Sequence, residues 1–146
     1  MEDIITQIPG FERGKVHRVT ASDKAGEALL VASMASRLSA EWNTSVLCLS
    51  LDGSKGEIES ALPTVGGYAN IEVTDQKNPD IWVVRNKIAA AVGRRFVRAA
   101  IICGADKLRP RTDPEGTGKN SAAVIERTLA GLASGMGIPV ILVDIH

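Results

Sequence analysis

A short segment near the start of the chain has the position of a phosphate-binding loop. It comprises Ser22, Asp23, Lys24, Ala25, Gly26, Glu27 and Ala28. A phosphate-binding loop has the pattern G-x-x-x-x-G-K-[ST], in which glycines let backbone N–H groups approach the phosphates, the Lys offsets their charge and the hydroxyl holds Mg²⁺. Here the second glycine is kept as Gly26, but Glu27 stands at the Lys position and Ala28 at the hydroxyl position. These residue types argue against triphosphate binding at this turn.

Glu27 reverses the charge at the position that a phosphate would meet. Two unit charges about 4 Å apart interact by about 4 kcal/mol at an effective dielectric of about 20, so an acid in place of a Lys turns an attraction of that size into a repulsion. Lys24 is an alternative cation that could bend over a phosphate, and the other interpretation of Lys24 is an exposed turn residue. We expect neither ATP nor Mg²⁺ as a cofactor.

The elements that position this turn are predicted by alternating short β-branched runs and longer helical patterns. This alternation is typical of βαβ units and predicts an α/β fold with a mainly parallel sheet. The predicted strands are 16–21, 45–51, 70–75, 99–103 and 139–144. The predicted helices are 26–42, 54–63 with a Ser54–Glu57 capping box, 79–94 opened by Pro79, and 121–136. In such sheets, ligands gather at the carboxyl ends of the strands, above all after the first strand.

Composition and charge exclude several classes of protein. With 45% hydrophobic residues the chain can bury a core, so intrinsic disorder is excluded. Seventeen Lys and Arg balance seventeen Asp and Glu, so an electrostatic partner must be met locally. No run approaches the roughly 18 apolar residues of a membrane span, and no signal peptide is predicted. At 3% aromatic residues, a base-stacking platform for RNA is not expected.

The cysteine and histidine residues predict packing, not metal chemistry. Cys48 and Cys103 lie inside apolar runs, which favours buried thiols in a reducing compartment and hence the cytoplasm. His17 and His146 are far apart in sequence, and no Cys or His has zinc-ligand spacing. We therefore predict no metal site.

Basic residues are concentrated in one part of the chain. Residues 81–111 contain eight Lys and Arg against one acid. Such segregation suits phosphate contact or docking on an acidic protein surface, and a solvated helix face followed by a polar loop at 109–120 is the alternative. The candidate DNA or partner contacts are Arg94, Arg95, Arg98, Arg109, Arg111 and Lys119.

The run IPGFERGKVHRVTASDKAG resembles the beginning of the motor domain of DnaB-type replicative helicases, members of the RecA-like ATPases. The similarity continues through SVLCLSLD, with Asp52 at the position of the catalytic Glu, and through RAAIICGADKL, with Gly104 where the Mg²⁺-linked Walker B Asp is expected. The last match, SAAVIERTLAGLASGMGIPVILVDIH, ends in Asp144 and Ile145 in place of the family's sensor Ser-Gln. Asp106 lies two positions beyond the Walker B position, where it would hold a metal if the strand bulged or, as we expect, cap a turn.

The resemblance implies one three-layer RecA-like domain of the P-loop NTPase type over residues 1–146. It also implies a domain truncated after the fifth strand, without the family's arginine-finger hairpin. If that last strand, 140–146, lies at the border of the sheet, its hydrogen bonds are left unpaired. Because the chemically diagnostic positions are the ones that differ, the resemblance implies a pseudo-ATPase without enzymatic activity.

The resulting hypotheses about function differ in class. The leading one is a non-catalytic, helicase-like domain that binds protein in DNA replication, as a partner, loader or inhibitor of a replicative helicase or by self-assembly. The second is a DNA-binding accessory, since the loop after Walker B contacts single-stranded DNA in such helicases and Arg109, Arg111 and Lys119 hold that position. The third is an ATP-binding helicase subunit with a displaced site, or with a composite site that a partner completes. An oligomer is favoured, because the net charge is near zero and the helicases are rings.

Overall fold

One five-stranded parallel sheet organises the chain in the computed structural model, which describes residues 11–65, 70–110 and 121–145. The strands are β1 (Val16–Ala21), β2 (Ser45–Ser50), β3 (Ile71–Asp75), β4 (Val97–Cys103) and β5 (Val140–Ile145), in the order β1-β5-β4-β2-β3. The helices in the described ranges are α1 (Lys24–Trp42), α2 (Lys55–Ala61), α3 (Ile81–Arg95) and α4 (Ser121–Met136). The expected α/β class with a parallel sheet is confirmed, and the arrangement is consistent with a three-layer RecA-like fold.

Helices cover both faces of the sheet, because strands of a parallel sheet bury side chains on both sides. In β4, Ala100 and Ile102 belong to the apolar cluster with α3 and α4. Their neighbours Ile101 and Cys103 belong to the cluster with α1 and α2. The sheet is therefore the middle layer, and the carboxyl ends of its strands form one edge at which side chains from several elements can meet.

Most element boundaries agree with the sequence pattern to within two residues. The start of α3 differs because Asp80, not Pro79, ends the preceding loop: the Asp80 carboxylate accepts hydrogen bonds from the backbone N–H groups of Trp82 and Val83. Ser54 does precede α2, but its side chain makes no capping hydrogen bond to that helix. The prediction that the Ser54 side chain caps this helix was therefore wrong, although the helix does begin just after Ser54. The Ser54 hydroxyl has other hydrogen-bond partners.

The last strand does not lie at the border of the sheet. β5 lies inside the sheet, paired with β1 on one side and β4 on the other. The border strands of the described sheet are β1 and β3. The hydrogen bonds of β5 are thus satisfied within the chain, because it has a strand on either side.

Some sequence-based predictions fall on residues outside the described ranges. These are residues 111–120 of the predicted polar loop, with Arg111 and Lys119. His146 also lies outside them. Among the described helices, none combines the length and apolar character that crossing a bilayer requires.

Candidate functional site

The turn between β1 and α1 is too short to be a phosphate-binding loop. β1 ends at Ala21 and α1 begins at Lys24, so Ser22 and Asp23 alone connect them. Asp23 is the N-cap of α1, and its Oδ1 accepts a hydrogen bond of 2.7 Å from the backbone N–H of Gly26. A helix N-terminus binds an anion through such N–H groups. The anion at this N-terminus is the carboxylate of Asp23 itself.

Glu27 is fully buried in the first turn of α1. Its Oε1 lies 3.3 Å from the Ser54 hydroxyl oxygen, whose single proton is shared with the nearer carboxylate of Asp52. Its Oε2 is buried and has no hydrogen-bond partner when the carboxyl group is ionised. Burial, followed by the hydrogen bond with Asp52, raises the pKa of Glu27 from 4.5 to about 7. A protonated Glu27 can donate to Asp52, which gives the second oxygen a partner.

Asp52 follows β2 and is held by hydroxyl groups from both sides. Its Oδ1 accepts hydrogen bonds from Ser54 at 2.6 Å and from Ser50 at 3.2 Å. Burial opposes its ionisation, but hydrogen bonds from Glu27, Ser54 and Ser50, with the charge of Lys24, outweigh that effect and hold the pKa of Asp52 below its usual value. The two carboxyl groups therefore form a pair in which Asp52 is ionised and Glu27 keeps its proton up to about pH 7.

Cys103 completes the cluster at the end of β4. It pairs with Ser50 in the register of β2 and β4, so the two strand ends stand side by side. Ligand-type atoms of Glu27, Asp52 and Cys103 all lie within 4.8 Å of one another. Burial, with the hydrogen bond and charge of Glu27, raises the pKa of the Cys103 thiol. We refer to Glu27, Asp52 and Cys103 as the acidic-thiol cluster.

Gly104, directly after β4, allows Asp52 its close approach. Its φ is 76°, and a Cβ atom built on it would lie 2.9 Å from both Cβ and Cγ of Asp52. At the position where the helicase resemblance expects the Walker B Asp, the space is thus filled by a carboxylate from the neighbouring strand end. No larger side chain fits there without displacing Asp52.

The residues at this edge do not fit a Mg²⁺-nucleotide complex. Asp23 occupies the helix N-terminus, and Glu27 places a buried acid where the phosphate-neutralising Lys is needed. Ala28 is buried and offers no hydroxyl, and Gly104 offers no carboxylate. The hydroxyl and carboxylate by which a phosphate-binding loop and Walker B strand hold Mg²⁺ have no counterpart at Ala28 and Gly104.

Of the other sequence-based candidates, Lys24 lies beside the cluster, whereas Asp106 and Asp144 are not part of it. Lys24 is exposed, and its Nζ donates a hydrogen bond of 3.0 Å to the backbone carbonyl of Asp52. Asp106 is exposed in the turn Ala105–Lys107 after β4, and its carboxylate lies 3.9 Å from Nζ of Lys107. Asp144, on β5, lies 3.7 Å from Arg18, and burial, opposed by a backbone hydrogen bond, raises the pKa of Asp144.

The described basic candidates do not form one patch. Arg94 and Arg98 lie at the amino end of β4, whereas Arg109 follows its carboxyl end. β4 has seven residues, and at about 3.3 Å per residue its ends are roughly 20 Å apart. Arg98 and Arg109 each donate hydrogen bonds to backbone carbonyls close by in the chain. The side chain of Arg95, like Arg111 and Lys119, lies outside the described part.

Sequence reasoning assigned no functional role to Ser50, Ser54 or Cys103. The available signal was their position, since all three lie at or just after the carboxyl ends of β2 and β4, where such sheets collect ligands. This signal is easily overlooked. The apolar neighbours of Cys103 indicate a core residue, and the spacing of Ser54 to Glu57 indicates a helix cap. No protein-family model matches the chain, and no curated protein matches it either.

Proposed function

We propose that this chain is a non-catalytic, RecA-like domain that acts by binding a protein of DNA replication, with a DnaB-type replicative helicase as the partner. The observation that carries the proposal is the closed β1–α1 turn, in which the Asp23 carboxylate takes the Gly26 N–H group. The sheet and its helices are intact around this turn. A domain that keeps its scaffold without the means to bind a triphosphate is suited to binding, not to turnover.

The chain is expected not to bind ATP. Titration of the chain with fluorescently labelled ATP and Mg²⁺ is expected to give no saturable binding at submillimolar concentrations, because the carboxyl groups of Asp23 and Glu27 lie where phosphates and their Lys would be. The replicative helicase of the same organism, which has an intact loop, is the positive control. A submillimolar dissociation constant for the chain contradicts the proposal and supports the displaced-site alternative.

Phe96 is the best-supported partner contact among the described residues. It is 71% exposed and adopts the left-handed region with φ 57° at the C-cap of α3. The guanidinium of Arg98 lies 5.8 Å from the centre of its ring, and the Arg94 side chain is exposed nearby in sequence. A left-handed conformation costs a non-glycine residue about 1 to 2 kcal/mol, and an exposed ring gains little packing in return. Aromatic and Arg side chains together are the usual anchors of protein interfaces.

Phe96→Gly is therefore expected to stabilise the fold while weakening the complex. Removing the left-handed strain raises the free energy of unfolding by about 1 kcal/mol, and losing an interface anchor weakens partner affinity by roughly 30-fold. Urea unfolding measures the first effect, and light scattering with titration calorimetry measures the second. Trp82→Ala is the matched control, because Trp82 is also an exposed aromatic residue of the α3 region; it is expected to leave affinity unchanged.

The interaction itself is tested by size-exclusion chromatography of the chain mixed with that helicase at micromolar concentrations, and of the chain alone. Co-elution with the helicase supports the proposal, while self-association without co-elution replaces the helicase by a second copy as partner. Absence of both contradicts protein binding.

The DNA-binding alternative is less well supported because the described basic residues are dispersed. Binding of single-stranded DNA that weakens steeply with salt would support this alternative instead. A cytoplasmic location, suggested by the two buried free thiols, belongs to the same proposal.

A further inference from the structure

The acidic-thiol cluster has the donor atoms of a metal site and a rigid frame around them. Glu27 comes from the first turn of α1, Asp52 from the end of β2 and Cys103 from the end of β4. Asp52 is fixed by hydroxyl hydrogen bonds, and its backbone carbonyl is fixed by Lys24. Donors held on packed elements lose little conformational freedom when an ion binds.

An unpartnered oxygen points to a ligand at this position. Glu27 is completely buried, yet its Oε2 has no hydrogen-bond donor among the described residues. A buried ionised oxygen without a partner is costly. Either a proton shared with Asp52 or a cation must compensate this oxygen. The neighbouring Cys103 sulfur is a possible metal ligand, and a shared proton alone would not require a sulfur atom there.

The combination of donors selects the kind of ion. Mg²⁺ and Ca²⁺ are bound by oxygen ligands, and thiolate sulfur favours Zn²⁺ or softer ions. In a tetrahedral zinc site, bonds of about 2.0 to 2.3 Å place ligand atoms roughly 3.5 Å apart. Because the atoms here all lie within 4.8 Å of one another, no pair has to close by more than roughly 1.3 Å to reach that spacing.

We propose that Glu27, Asp52 and Cys103 bind one Zn²⁺ ion at the carboxyl edge of the sheet. Three protein ligands leave the fourth position to water, and the half-buried Asp52 gives the ion access from solvent. On binding, the ion displaces two protons to solvent, the one between Glu27 and Asp52 and the one on the Cys103 thiol. The site is independent of partner binding, since it uses no surface residue of the α3 region. It links α1 to β2 and β4, and therefore stabilises the folded chain when occupied.

The test uses the full chain after treatment with a chelator and transfer to buffer. Isothermal titration with Zn²⁺ is expected to show one ion per chain, and Mg²⁺ at the same concentration is expected to show none. Co²⁺ serves as the spectroscopic probe, because a cysteine thiolate bound to Co²⁺ gives a charge-transfer band in the near ultraviolet. Zinc is also expected to raise the melting temperature, since a ligand that binds only the folded state stabilises it.

Variants assign the site to these residues. Cys103→Ser and Glu27→Gln are each expected to weaken zinc binding by more than about 100-fold, since even loss of an outer-shell partner costs about 10 to 100-fold, and Cys103→Ser abolishes the cobalt band. Cys48→Ser is the matched control, because Cys48 is a buried free cysteine on the adjacent strand, and it is expected to keep both signals. Absence of zinc binding in the unmodified chain overturns the proposal, as does full binding by Glu27→Gln or a cobalt complex without the thiolate band.

Discussion

Replacing Gly104 by alanine is expected to lower the free energy of unfolding by about 2 to 5 kcal/mol. The left-handed conformation costs a residue with a side chain about 1 to 2 kcal/mol. A new Cβ would also lie 2.9 Å from two carbon atoms of Asp52, and forcing atoms into an occupied space costs typically about 1 to 3 kcal/mol. Urea unfolding followed by circular dichroism measures the change, which is a large part of the about 5 to 15 kcal/mol typical of a domain.

Gly53→Ala separates the two contributions. Gly53 has nearly the same φ, 79°, but a Cβ on it would meet nothing within 4 Å. Gly53→Ala is therefore expected to lower the free energy of unfolding only by the cost of the left-handed conformation, about 1 to 2 kcal/mol. Equal losses in the two variants would contradict the close approach of Gly104 to Asp52. If Gly104→Ala does not fold while Gly53→Ala does, the steric explanation is supported.

The stability of the protein is expected to fall by up to about 3 kcal/mol between pH 4.5 and pH 7 because of Glu27 alone. The pKa of Glu27 rises from 4.5 to about 7 on folding, so in this range the folded state holds a proton that the unfolded state has released. The stabilisation is complete below pH 4.5 and is lost as the pH rises through 7, at about 1.4 kcal/mol per unit of pKa difference. Urea unfolding at a series of pH values measures the slope.

Glu27→Gln removes this dependence, because an amide can donate to Asp52 at every pH. The variant is expected to be more stable than the unmodified chain at pH 8 and to show a flatter curve from pH 5 to 7. Asp144 titrates in both proteins, so its contribution cancels in the difference. Asp52, whose pKa is lowered, contributes to the pH dependence of stability only at more acidic pH. Parallel curves for the two proteins would contradict a shared proton between Glu27 and Asp52. These measurements need chelated buffer, so that zinc does not replace that proton.

Most of the helices and strands could be predicted from the chain because their signals are local. The apolar run of β2 and the helical spacing of Leu30, Met34 and Leu38 in α1 are visible without any tertiary contact. The charge reversal at Glu27 was also visible. The start of α3 was misplaced because Pro79 is a permissive signal, whereas the Asp80 carboxylate makes the actual cap.

The chemistry around Glu27 could be predicted only in part. From the sequence, Glu27 is an acid in a turn that would repel phosphate. In the structure, it is a buried acid whose partners are Ser54, Asp52 and Cys103. Ser54 was assigned to a helix cap because its spacing to Glu57 fits that motif, but a hydroxyl donates where the nearest acceptors lie, and here the carboxylates of two other elements are closer.

The class of fold, the approximate limits of its elements and the replacement of the expected Lys by Glu27 and of the expected hydroxyl residue by Ala28 can all be derived from the sequence. The position of β5 between β1 and β4 and the meeting of Glu27, Asp52 and Cys103 follow only from the folded structure. The reason is physical: periodicity is set by neighbours along the chain, whereas strand order and the meeting of side chains depend on how distant elements share one core.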